Sequence, residues 1–136
     1  MNTATPRKNR APLNLAMGWI GLAGTVAMSL AHALDWPMTL RVISVLTVLT
    51  SLATMFFTRK SDEYTLGLWS SGANAAFALI VAMLIFGPFV EGVYDGYMQA
   101  HDGTERERDI TGDSAPYLAL LAFYLTFNVK RLTGAF

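Results

Sequence analysis

The side chains of this sequence that could do acid–base or metal chemistry come in close pairs. His32 and Asp35 are three residues apart, Glu91 and Asp95 four apart, and His101 and Asp102 adjacent. A helix sets residues three or four apart on one face. Glu91, Asp95, His32 and Asp35 are therefore the expected ligands if the chain holds a divalent metal, or the expected relay if it passes protons. The spacing matches neither an H-E-x-x-H site nor the Glu-x-x-His pairs of a diiron bundle. Asn74 offers different chemistry: a lone amide inside an apolar run, suited to an interhelical hydrogen bond or to contact with a solute. Ser29, His32 and Asp35 also share a helical face, but nothing near them marks an oxyanion site. Cysteine is absent, which removes thiolate and Cys-ligated metal chemistry. A bis-His haem is excluded because His101 follows a polar segment. No cofactor is expected, with a divalent metal as the alternative.

These residues sit on a very apolar chain of 136 residues, the length of a single domain spanning 1–136. Hydrophobic residues make up 53% and charged residues 15%, against roughly a quarter charged in a soluble domain. No Asp, Glu, Lys or Arg falls within 13–34, 42–58 or 66–90. Uncharged runs of about 18 residues or more cross a hydrocarbon layer of roughly 30 Å as helices. The expected fold is thus an all-α integral membrane protein with four transmembrane helices in an antiparallel bundle, at 13–34, 38–58, 62–98 and 115–132, and an outer loop at 99–113.

Local signals set the boundaries. Pro12 suits the first turn of helix 1, and Gly21, Thr25, Ser29 and Ala33 make a small-residue stripe for close helix packing. Gly18, Gly21 and Gly24 lie inside the same apolar helix, where packing rather than phosphate binding explains them. The run ending in Ala31-His32-Ala33 is too long for a signal peptide, so retention is expected. Asp35-Trp36-Pro37 breaks the chain into a hairpin. Thr47, Thr50, Ser51, Thr54 and Thr58 share a face of helix 2, with hydroxyls expected to bond to their own helix or to a neighbour. Ser61 is the expected N-cap of helix 3. That helix is expected to be long and kinked, or ended, near Gly87-Pro88. Ser114-Ala115-Pro116 reads as the start of helix 4, whose Lys130 and Arg131 are expected to reach for headgroups.

Arg7, Lys8, Arg10, Arg59, Lys60, Lys130 and Arg131 fall on one side of such a bundle, and Arg41, Arg106 and Arg108 on the other. The excess predicts cytoplasmic N- and C-termini in a bacterial inner membrane. In size and number of spans the chain is similar to small multidrug-resistance transporters, but it lacks their helix-1 glutamate, since 21–29 holds no acid. The expected partners are the lipid bilayer and either further copies of the chain or a larger membrane complex. A net charge of zero gives no sign of nucleic acid. The expected role is accessory, assembly or self-association without catalysis. Two alternatives are a small-solute carrier or channel built on Asn74 and Gly87-Pro88, and a metal or enzyme site at Glu91, Asp95 and His32.

Overall fold

A long apolar run satisfies its own backbone only as a helix, and in the computed structural model each such run is helical. The structure describes residues 9–103 and 109–134. The order is α1 (Ala11–Ala33), α2 (Met38–Thr58), α3 (Glu63–Asp102) and α4 (Ile110–Thr133). Three helices, α1 to α3, are long and apolar enough to cross a membrane. The expectation of four such helices is not matched by α4. That helix carries Asp113, Lys130 and Arg131 in its end turns and buries much of its apolar surface inside the protein.

The helix ends follow from identifiable contacts. At the α1–α2 connection Asp35 takes a positive φ of 51°, and Arg41 braces the turn by donating to the Trp36 carbonyl (2.8 Å) and to Asp35 (2.9 Å). The cap of α3 is Asp62 rather than Ser61. Its carboxylate accepts from the Thr65 N–H at 2.7 Å, and the Thr65 hydroxyl lies 3.4 Å from the Asp62 N–H, closing a capping box. Ser61 instead donates to the Thr58 carbonyl.

Two further boundaries differ from expectation. The third helix neither ends nor breaks at Gly87-Pro88 but continues to Asp102. Proline there removes one backbone donor, and Gly87 leaves room for α4. At 1.5 Å per residue, α3 is roughly 60 Å long. The start of α4 is Ile110 rather than 115, because two carboxylates capture its first free N–H groups. Asp109 accepts from Gly112 at 2.6 Å, and Glu91 of α3 accepts from Thr111. Residues 104–108 of the expected outer loop lie outside the described residues.

The four helices pack as two pairs, α1 with α2 and α3 with α4, joined chiefly by α1 against α4. Between α2 and α3 contact is sparse and gathers at one end. There the Arg59 guanidinium lies 3.6 Å from the Phe56 ring centroid and 5.9 Å from that of Trp69. We call this the Arg59 end and the opposite one the Asp35 end. The α1–α4 contact depends on glycine: a Cβ at Gly21 would lie 2.1 Å from the Tyr124 ring, and one at Gly18 2.6 Å from Phe127.

Polar side chains share the interior with the apolar core of Met55, Leu68, Phe123 and Phe127, and large apolar side chains lie outside. Asn14, Thr25, Ser51, Thr58, Thr65 and Asn128 are buried, while Phe57 is 80% exposed and Phe89 72%.

Candidate functional site

The buried polar side chains form one web at and above the Arg59 end. Asn14 on α1 donates to the Met55 carbonyl (2.9 Å) and the Thr58 hydroxyl (2.8 Å) of α2. Ser51 of α2 donates to the Met17 carbonyl (2.7 Å) and accepts from the Tyr124 hydroxyl of α4 (3.1 Å). Asn128 of α4 donates to the Gly18 carbonyl on α1 (3.0 Å) and to the Tyr124 carbonyl (2.8 Å). Three helices are thereby cross-linked through groups that an apolar surround would otherwise leave costly. The side-chain oxygens of Asn14 and Asn128 accept no hydrogen bond from the described residues. The hydroxyl face of α2 behaves as expected: Thr47, Thr54 and Thr58 bond back to their own helix, and Ser51 reaches a neighbour.

Lys130 and Arg131 depart from expectation. Helical side chains lean toward their helix N-terminus, which for α4 points away from the Arg59 end. The Lys130 ammonium donates to the Ser71 hydroxyl at 2.9 Å, and Arg131 donates to the Leu15 carbonyl at 2.8 Å. Both cations turn onto the protein.

At the Asp35 end the predicted ligands have separate occupations. Asp35 is exposed and paired with Arg41. His32 stacks on Tyr117 of α4 with ring centroids 5.3 Å apart. It borders an apolar cavity of about 460 Å³ between α1, α2 and α4, walled by Val45, Leu49, Leu52 and Leu120. Glu91 caps α4 and borders a second cavity of about 430 Å³ beside Met83, Phe86, Val90 and Tyr94. Asp95 lies one turn beyond Glu91, as the spacing requires, and both are half-buried. His101 stacks on Tyr97 at 4.5 Å. Among the described residues no three His, Cys, Asp or Glu side chains come together as a metal site.

Asn74 is exposed, where an interior position was expected. The face of α3 that meets α4 is set by Gly72, against the Phe123 backbone, and by Gly87, against Thr111. Asn74, two residues past Gly72, stands roughly 200° around the helix from it. It lines none of the cavities described above and exchanges no hydrogen bond with a described residue. The residues that do join helices, Asn14 and Asn128, are the ones that sequence reasoning passed over. Both lie within apolar spans, and the rule applied to Asn74, that polar groups at such positions face the interior, would have found them. No protein-family model, curated protein or solved structure matches the chain.

Proposed function

We propose that this chain is an integral membrane protein with an accessory, assembly or self-associating role and no catalysis. In this reading the helices cross a bacterial inner membrane as an antiparallel bundle with both termini in the cytoplasm. The observation that carries it is the use made of the interior polar groups. Asn14, Ser51, Tyr124 and Asn128 all serve to bind helices to one another, which leaves a packed scaffold whose free chemistry is on its outside. The apolar exterior supports insertion, and Arg59, Lys60, Lys130 and Arg131 at one end support the orientation.

The alternatives find less support. A carrier built on Asn74 would need that amide in a cavity, and it faces outward from α3. A metal site would have to draw Asp35 from Arg41 and Glu91 from the start of α4. Extraction of the full chain from native membranes in mild detergent tests the proposal. The expected result is an assembly larger than the 14.9 kDa chain. A lone monomer in every mild detergent would overturn it.

A further inference from the structure

One exposed face of α3 carries polar groups at a depth where lipid offers no partner. Gly67, Ser70, Asn74, Ala78, Ile85 and Gly92 fall within about 40° of one line along the helix at 3.6 residues per turn, directly opposite the face that packs on α4. Asn74 lies 11 residues from Glu63, hence ~16 Å along the axis, near the middle of a hydrocarbon layer of roughly 30 Å. Beside it, the Lys130 ammonium is drawn onto Ser71. An unpartnered amide at this depth requires a covering surface that supplies hydrogen bonds.

We infer that this face is where a second copy of the chain docks, with α3 beside α3 about a two-fold axis along the membrane normal. The inference rests on the membrane insertion proposed above. What selects a second copy is self-complementarity. A primary amide has two donors and an acceptor and so is its own partner. Two copies sharing one orientation hold Asn74 at the same depth and bring the two amides into register. The same rotation sets Ser70 of one copy on the side of Ser71 and Lys130 of the other, giving the ammonium a further acceptor. Ala78 and Gly92, one turn and five turns away, are small enough for the helices to approach closely. A lipid tail would not satisfy the amide at this depth, and an unrelated protein would have to carry a matching polar group at the same height.

The chain's lack of cysteine makes the test direct. Ala78→Cys, Ile85→Cys and, on α2 at the mouth of the cavity beside His32, the exposed Leu49→Cys are introduced singly into the full chain in bilayer vesicles and oxidised mildly. Disulfide-linked dimers are expected at 78 and 85 but not at 49. Asn74→Leu should weaken self-association roughly 5- to 30-fold, and Asn74→Gln should largely retain it. Because Asn74 is exposed in the single chain, thermal unfolding of the detergent-solubilised monomer should be unchanged by either substitution, which separates docking from folding. Equal cross-linking at 49 and 78, or self-association indifferent to Asn74→Leu, would overturn the inference. Loss of a different co-purifying protein in Asn74→Leu would also overturn it, while leaving the assembly role standing.

Discussion

The amide of Asn128 gives both its hydrogens to carbonyl oxygens, one on α1 and one a turn back on α4. An acceptor in its place would face those oxygens with nothing to donate. Asn128→Leu should therefore cost about 1–2 kcal/mol, the scale of interhelical hydrogen bonds in apolar surroundings. Asn128→Asp should cost several kcal/mol, since it buries a charge or forces its protonation. Unfolding of the two variants in detergent distinguishes them, and equal losses would show that the donors are irrelevant. The same comparison shows what was legible at this scale. Three asparagines lie in apolar stretches, and their identity alone makes each polar where polarity is expensive. Which of them turns inward depends on which face the neighbouring helix takes. For α3 that choice is made by Gly72 and Gly87, through backbone approach that residue type hints at but does not orient.

Among the elements, α4 departs furthest from expectation, and the reason is tertiary. Ser114-Ala115-Pro116 carries the local signals of a helix start, yet the helix begins at Ile110 because Asp109 and Glu91 supply acceptors to Gly112 and Thr111. Glu91 comes from another helix, so no local pattern could reveal it. The carboxylate lies at the positive end of the α4 dipole, where a charge is favoured. Glu91→Ala should free the first turn of α4, costing about 1 kcal/mol as for loss of a cap, and speed hydrogen exchange at Thr111. Glu91→Gln keeps an acceptor oxygen and should keep most of the protection. A metal ligand would show the opposite tolerance, failing with the amide as with alanine. By contrast α1, α2 and the start of α3 were legible within two residues, because uncharged length, Pro12, Pro37 and the acidic turn before Tyr64 are all local features.

For the whole molecule, the segregation of basic charge is the feature that supports the proposed orientation. Arg59, Lys60, Lys130 and Arg131 gather at one end against Asp62 and Glu63, while the other end holds Arg41 against Asp35, Glu91, Asp95, Asp109 and Asp113. A fluorescent reporter fused after Phe136 should mature in the cytoplasm, and a periplasm-dependent phosphatase at the same point should stay inactive. The reverse pattern would invert the topology argued here. Composition and uncharged length made the helical class readable. The pairing of α1 with α2 and of α3 with α4, with a sparse α2–α3 contact, was not, since the packing follows from the meeting of Gly18 and Gly21 with Phe127 and Tyr124.

The comparatively polar α4 has a consequence for biogenesis. Among the described residues the three preceding helices are long and apolar enough to cross a membrane, whereas α4 is not. Its Tyr124, Phe127 and Asn128 are accommodated only once α1 and α3 are in place to cover them. In the membrane-embedded reading proposed above, insertion is then sequential. In that reading α4 waits for a template made by the helices before it, and a chain truncated before residue 110 should reach the membrane yet leave the space over Gly18 and Gly21 unfilled, a ready target for quality control.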